Sequence, residues 1–317
     1  MTETAPTRRD LLSTEHLPVE TITRLLDRSD YYVEMLREPG PFQKLKILEG
    51  QTVANLFFEN STRTRISFEL AEKRMGADFV TLTPSASSMT KGESVLDTVR
   101  VIEAMKVDAI VVRHNVSGVP EFLAERLHAQ VHVINAGDGA HEHPTQALLD
   151  AAELRVALGD LRGKRIVIVG DILHSRVARS NVWLLKKLGA EVVLVGPSTL
   201  LPRDAVEVFG VNVSWDLDAA LRNADAVMML RIQMERMAGG FFPSLEEYSS
   251  RYGLSEGSRA GRTAPRGTLI LHPGPVNVGV ELDAETAGGE RSVILKQVKR
   301  GVAVRMAVLE WMFEVGK

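Results

Sequence analysis

The stretch TVANLFFENSTRTRISFELAEKRMGADFVTLT, residues 52–83, reads as strand, helix and strand. TVANLFF (52–58), largely apolar and of strand length, reads as a buried strand. STRTRISFELAEKRMG (61–76) opens on hydroxyl residues, and Gly76 stands just past its end, which are start and stop signals of a helix. DFVTLT (78–83) resumes strand chemistry. Two strands joined by a helix of this length call for a parallel pair with a crossover.

The alternation continues along the chain. SVLDTVRVIEAM (94–105) places Val95, Val99 and Ile102 on one helical face. DAIVVR (108–113) and VHVINA (131–136) read as strands, and VPEFLAERLHA (119–129) between them as a helix. PTQALLDAAELRVAL (144–158) starts a helix on Pro144. A second round follows, with strands at KRIVIVGD (164–171), EVVLVGP (191–197), DAVMML (225–230) and TLILHPGP (268–275). Its helices are SRVARSNVWLLKKLG (175–189) and the long C-terminal SVILKQVKRGVAVRMAVLEWMF (292–313). Segment 235–266, rich in Gly, Ser and Arg, reads as a loop. Two such rounds predict an α/β protein of two doubly wound parallel-sheet domains, joined inside the 144–158 helix.

Composition agrees. A chain of 317 residues suits two domains, and 44% hydrophobic with 25% charged residues is ordinary for a globular protein. The absence of Cys excludes a disulfide scaffold, a thiolate zinc site, an Fe–S cluster and a Cys nucleophile. A net charge of -3 offers no global field for nucleic acid or anionic lipid, and neither is expected as a partner. No apolar run approaches the ~18 residues of a membrane span. MTETAPTRRDLLSTEHL at the N-terminus lacks the apolar segment of a signal peptide, so a cytoplasmic location is expected.

In open α/β sheets, ligands gather at the carboxyl ends of strands, so the turns there are where chemistry is sought. Ser61-Thr62-Arg63-Thr64-Arg65 combines a helix N-terminus with three hydroxyls and two guanidinium groups, chemistry suited to a phosphate. A capped helix with solvated arginines is the plainer reading. Arginine in a first turn opposes the helix macrodipole unless an anion is present, which favours the anion site. Ser87 and Lys91 lie in the polar loop 85–93, which reads either as an ordinary loop or as one reaching an anion on its own or another chain. Arg113 and His114 end an apolar strand. His143, followed by Pro144, Thr145 and Gln146, precedes a helix and reads either as a structural histidine or as a donor to a substrate oxygen. Arg176 and Arg179 open the 175–189 helix, Arg231 and Gln233 follow a strand, and His272-Pro273-Gly274-Pro275 forms a rigid turn. Cations at this many turns suggest a cleft for a small polyanion.

Neither metal nor cofactor is expected. His141 and His143 flank Glu142, but Pro144 rules out the i, i+4 zinc spacing and no third ligand suggests itself. The Gly170 turn does not complete a dinucleotide fingerprint: Ile172 and Ser175 stand where glycines are needed, and Gly196-Pro197 where an acidic residue would end the next strand.

Together these residues resemble the carbamoyltransferases, over roughly residues 10–317. Ser61-Thr62-Arg63-Thr64-Arg65 is similar to their carbamoyl-phosphate motif, and His143-Pro144-Thr145-Gln146 to their second motif. Thr145, Arg231-Ile232-Gln233 and His272-Pro273-Gly274-Pro275 resemble the aspartate branch, whereas the ornithine branch usually carries Cys in the second motif and in an H-C-L-P turn. The resemblance implies a carbamoyl-phosphate domain, 1–147, completed by a C-terminal helix at about 299–317, and an aspartate domain, 148–298. It implies that Ser61, Thr62, Arg63 and Thr64 bind the phosphate, and that Thr64, Arg113 and His143 donate to the carbonyl oxygen. Arg113 would also reach the phosphate. Gln146 and the backbone of Gly274 and Pro275 would hold the carbamoyl amine, and Arg176, Arg231 and Gln233 the aspartate carboxylates. Ser87 and Lys91 would enter from the neighbouring subunit of a homotrimer, Lys91 also reaching aspartate. Val177 stands where some relatives carry Thr, and Gly274 where some carry Leu. The expected reaction moves the carbamoyl group of carbamoyl phosphate to the amine of aspartate, in pyrimidine biosynthesis. A carbamoyltransferase for another amino acid such as ornithine, a nicotinamide-dependent oxidoreductase and a non-catalytic phosphate-binding protein are the alternatives. A regulatory chain or a dihydroorotase as partner is left open.

Overall fold

The computed structural model describes residues 8–40, 42–82, 94–233, 244–255 and 257–314. The chain divides into two compact units, one up to Leu148 together with the segment from Lys299, the other Leu149–Val298.

The first unit contains helix α1 (Val19–Arg37), strand β1 (Thr52–Phe57), α2 (Thr62–Met75), β2 (Asp78–Leu82), α3 (Val95–Ala104), β3 (Ala109–His114), α4 (Val119–Ala124) and β4 (His132–Asp138). The unit boundary falls within α5 (Pro144–Leu158). The second unit continues through β5 (Arg165–Val169), α6 (Arg176–Lys187), β6 (Glu191–Val195), α7 (Ala205–Phe209), β7 (Asn212–Ser214) and α8 (Leu217–Leu221). Strand β8 (Ala226–Met229), α9 (Leu245–Tyr252), α10 (Arg259–Thr263), β9 (Leu269–Leu271) and α11 (Ala284–Gly288) complete it. Helix α12 (Ile294–Phe313) closes the chain, its residues from Lys299 belonging to the first unit.

Among the described residues, the first sheet has the order β2-β1-β3-β4 and the second β7-β6-β5-β8-β9, and every pairing is parallel. Strands β3 and β4 are buried throughout, while edge strand β2 has only exposed and half-buried positions. Burial of successive residues, and so of both faces, accounts for the largely apolar central strands. In the first sheet the chain steps outward from β1 to β2, then returns to the other side through β3 and β4. In the second it leaves through β6 and β7 and returns through β8 and β9. Strand order therefore reverses between β1 and β3 and between β5 and β8, the two places where open sheets bind ligands.

Two glycines hold the turns that make this possible. Gly76 ends α2 in the left-handed region (φ 91), and any side chain there would collide with the Leu45 carbonyl oxygen. Gly170, at φ 130 after β5, would bring a Cβ to 3.1 Å from both the Leu230 carbonyl oxygen and the Tyr248 hydroxyl. Its lack of a side chain lets the ends of β5 and β8 lie close.

The end of α12 is fastened to α1. Glu310 accepts from Arg28 Nη2 at 2.8 Å and from the Tyr32 hydroxyl at 2.9 Å, and Arg300 donates to Asp30 at 2.5 Å. Elements α1, α7, β7, α8 and α11 are additional to those the sequence predicts. Nor is segment 235–266 a loop throughout: it contains α9 and α10, capped by Ser244 and Ser258. Tyr248 and Tyr252, one turn apart, bury α9 against the core, and two tyrosines among Ser, Glu and Arg are a faint helical signal. Residues 234–243 and 256 lie outside the described residues. Among the described residues no helix is long and apolar enough to cross a membrane.

Candidate active site

In the first unit the candidates gather where strand order reverses. The Phe58 amide donates to the Arg113 carbonyl oxygen at 2.9 Å, tying the end of β1 to the end of β3. Ser61 occupies the N-cap of α2 with extended backbone, yet its hydroxyl makes no capping bond. At α3, α6, α9 and α10 the corresponding Ser94, Ser175, Ser244 and Ser258 each accept from a first-turn amide. The first turn of α2 holds no acidic residue but two arginines, with Thr62 and Arg63 exposed and Thr64 buried. Helix dipole and guanidinium charge thus add at one point, which favours an anion.

Arg113 is buried and held from both sides. Its Nη2 donates to Glu59 Oε1 at 2.7 Å, just past β1, and its Nη1 to the Ala136 carbonyl oxygen on β4 at 3.1 Å. Neighbouring His114 accepts from the Val116 amide through Nδ1 at 2.9 Å, and burial pushes its imidazole below the usual range, towards the neutral form.

His143 follows β4 and heads α5, its carbonyl oxygen accepting from the Gln146 amide at 2.9 Å; it is buried, and Gln146 half-buried. The loop before it is built on Asp138, which accepts from Gly118 N (2.6 Å), Asn135 Nδ2 (2.8 Å), Glu142 N (3.0 Å) and His141 Nδ1 (3.0 Å). Burial alone would raise the Asp138 carboxyl, but those bonds hold it below its ordinary value. Glu142 faces the N-terminal segment, accepting from the Ser13 hydroxyl (2.6 Å), Thr14 N (2.9 Å) and the Thr14 hydroxyl (2.6 Å). The His141-Glu142-His143 triplet therefore does not converge. Among the described residues, the metal-type atoms that do converge, within 4.8 Å of one another, belong to Glu121, Asp138 and His141. Asp138 is already committed to four N–H donors, so this set reads as the frame of the loop.

The second unit presents a parallel arrangement. Ser175 caps α6 by accepting from Ala178 N at 3.1 Å, and Arg176 is buried in the first turn. Arg231 and Gln233, half-buried, lie just past the end of β8, with Ile232 fully buried between them. The Ile232 amide donates to Glu281 Oε1 at 2.9 Å. After β9, the His272 amide donates to Gln297 Oε1 (3.1 Å) and the Gly274 amide to His272 Nδ1 (2.7 Å), which shapes the turn carrying Gly274 and Pro275. Gln297 in turn donates to Asp150 at 2.7 Å, as does Asn181 at 2.9 Å. Ser87 and Lys91 lie outside the described residues.

Sequence reasoning missed Glu59, Glu281, Asp150 and Gln297, which hold the candidates rather than resemble them. Glu59 adjoins the hydroxyl-arginine motif and could have been suspected from that position. The bonds that tie the others to the candidates carry no local signal, since Ile232 lies 49 residues from Glu281 and His272 25 residues from Gln297.

Two parallel-sheet units, each with arginines where strand order reverses, define a class of proteins that handle small anions at strand ends. The chain belongs to the aspartate/ornithine carbamoyltransferase family: residues 9–156 match its carbamoyl-P binding domain and residues 162–312 its Asp/Orn binding domain. The aspartate carbamoyltransferase catalytic subunit of Gemmatimonas aurantiaca is 54% identical over 304 residues, 96% of this chain and 93% of that one. Aspartate transcarbamoylase from Trypanosoma cruzi, solved in complex with N-(phosphonacetyl)-L-aspartic acid, superposes with a TM-score of 0.83 at 29% identity, over 96% of this chain and 95% of that one. Ornithine carbamoyltransferase from Pyrococcus furiosus reaches the same TM-score of 0.83 at 26% identity, over 96% and 97% of the two chains. Fold therefore does not separate the branches, and the site residues must.

Proposed function

We propose that the chain transfers the carbamoyl group of carbamoyl phosphate to the amine of L-aspartate, releasing N-carbamoyl-L-aspartate and phosphate. The observation that carries this reading is Arg231, two residues past the end of β8 and beside the second switch point, where it offers a cation to an acidic amino acid. The name shared by relatives such as the Gemmatimonas aurantiaca subunit supports it.

In this reading Ser61, Thr62, Arg63 and Thr64 bind the phosphate of carbamoyl phosphate. The amine of aspartate attacks the carbonyl carbon, the C–O bond to phosphate breaks, and the leaving phosphate takes the amine proton. Thr64, Arg113 and His143 donate to the oxygen that becomes negative, and each such donor is worth about 10²–10³ in rate. Gln146 and the backbone of Gly274 and Pro275 hold the carbamoyl amine. Arg176, Arg231 and Gln233 bind the aspartate carboxylates. Alignment of the two substrates supplies several kcal/mol more, up to about 7–11. The catalytic chains form a homotrimer in which Ser87 and Lys91 complete a neighbour's site, and the enzyme works in cytoplasmic pyrimidine biosynthesis.

Ornithine as the acceptor asks for a carboxylate facing its cationic side chain. The acid bonded to the 231–233 loop, Glu281, is fully buried and gives both oxygens to backbone and Asn277 donors. A carbamoylation assay with aspartate and ornithine side by side tests the reading. Product with aspartate and none with ornithine is expected; the reverse overturns it.

A further inference from the structure

We infer that Glu281 is a positioning residue that clasps the Arg231–Gln233 loop to the 272–277 turn and thereby sets the affinity for aspartate; the inference rests on the reading that Arg231 and Gln233 hold that substrate. Glu281 is fully buried. Its Oε1 accepts from the Ile232 amide at 2.9 Å and from Asn277 Nδ2 at 2.8 Å, and its Oε2 from the Asn277 amide at 2.7 Å. His272 Nε2 stands 3.9 Å from Oε2. The carboxylate thus bonds two loops 40 or so residues apart in sequence, each of which follows a strand of the second sheet.

The geometry is specific to the middle of the Arg-Ile-Gln triplet. Ile232 is anchored twice, by its side chain in the core cluster of the second unit and by its amide on Glu281. Arg231 and Gln233, on either side of it, are the residues left half-exposed. Glu281 is itself fixed from behind, since its carbonyl oxygen accepts from the Leu254 amide at 2.9 Å. Burial raises its carboxyl above the ordinary range, with the bonds from Ile232 and Asn277 acting against that rise. A carboxylate so placed offers substrate nothing directly. What it supplies is a fixed backbone position for the two side chains that flank Ile232.

The test uses the full-length enzyme with Glu281→Gln, Glu281→Ala and, as a benchmark, Arg231→Ala. Gln keeps one acceptor oxygen but turns an amide group towards an N–H donor, so part of the clasp survives. Glu281→Gln is expected to raise the aspartate KM about tenfold, with the carbamoyl-phosphate KM and the saturated kcat within about threefold of wild type. Glu281→Ala raises the aspartate KM further; if it fails to fold, the Gln variant alone decides. A role confined to holding the fold would lower the unfolding temperature and leave the ratio of the two KM values unchanged, and that result overturns the inference. An aspartate KM within threefold of wild type in the Gln variant overturns it as well, provided Arg231→Ala raises that KM. If Arg231→Ala itself leaves the aspartate KM unchanged, the reading of the aspartate site fails instead, and the inference falls with it.

Discussion

Glu59 and Arg113 are 54 positions apart in sequence and 2.7 Å apart in the structure, Oε1 to Nη2. The pair is largely buried, with side-chain exposures of 22% for Glu59 and 10% for Arg113. With the Ala136 carbonyl oxygen on the other side, it fixes the plane of the guanidinium that the proposed chemistry needs. Glu59→Gln keeps an acceptor but removes the charge that orients Arg113. Its kcat/KM for carbamoyl phosphate is expected to fall about tenfold, equivalent to about 1.4 kcal/mol. Steady-state kinetics check this, and a value within twofold of wild type contradicts a positioning role.

Arg63 gives the sharper test of the phosphate site. It is exposed in the first turn of α2, where its charge opposes the helix dipole and suits an anion. Arg63→Ala removes a charge-assisted contact worth about 2–3 kcal/mol, so carbamoyl-phosphate affinity falls roughly 30- to 150-fold. The fold is untouched, because the side chain fills no core position. Titration with carbamoyl phosphate measures the effect; affinity within threefold of wild type would falsify the assignment of this turn.

Glu72 sets a pH dependence of stability. It is fully buried on α2, and Asn55 Nδ2 donates to its Oε2 at 2.7 Å. Among the described residues Glu72 Oε1 and Asn55 Oδ1 have no hydrogen-bond partner. Burial pushes the Glu72 carboxyl up to about 8, from an ordinary value of 4.5. Between those values the folded chain holds a proton that the unfolded chain has released. Stability associated with this group is therefore full below about pH 4.5 and is lost as pH rises to about 8. Glu72→Gln places a neutral amide opposite Asn55 and removes this dependence. Thermal unfolding should show the variant gaining on wild type at pH 8 and not at pH 5. An equal difference at both pH values would show that Glu72 does not titrate in this window.

Much of this fold was legible because parallel strands buried on both faces leave apolar runs, unbroken in Ile166–Val169 and interrupted only by Asn55 in Val53–Phe57. The candidate residues were legible for a related reason: Arg113 and Arg231 fall at or just past the ends of strands and Arg63 and Arg176 in the first turns of helices, where the local pattern changes abruptly. What escaped depends on tertiary pairing. Ile22, Leu25, Leu26 and Tyr32 do recur at helical spacing in α1, but the helix is also held by Glu310, which accepts from Arg28 and Tyr32 and lies 282 and 278 residues beyond them. The clasp of Glu281 on Ile232 likewise has no expression in the residues next to either partner.

The last prediction concerns sharing of the active site between chains. In the proposed reading Ser87 and Lys91 reach a neighbouring subunit's substrates, so a lone chain would lack one cation and one hydroxyl. Two inactive proteins, Lys91→Ala and His143→Ala, are mixed, gently dissociated and allowed to reassociate. Each Lys91→Ala chain keeps an intact His143, and each His143→Ala chain keeps an intact Lys91. In random cyclic trimers from an equal mixture, about a quarter of the sites then pair an intact His143 with an intact Lys91 from the next chain. Activity should return to roughly that fraction of wild type, because intact and defective sites coexist in one trimer. If each chain builds its own site, every site keeps one defect and the mixture stays inactive. Sizing distinguishes the second outcome from failed reassembly: trimers that re-form without regaining activity refute the shared site.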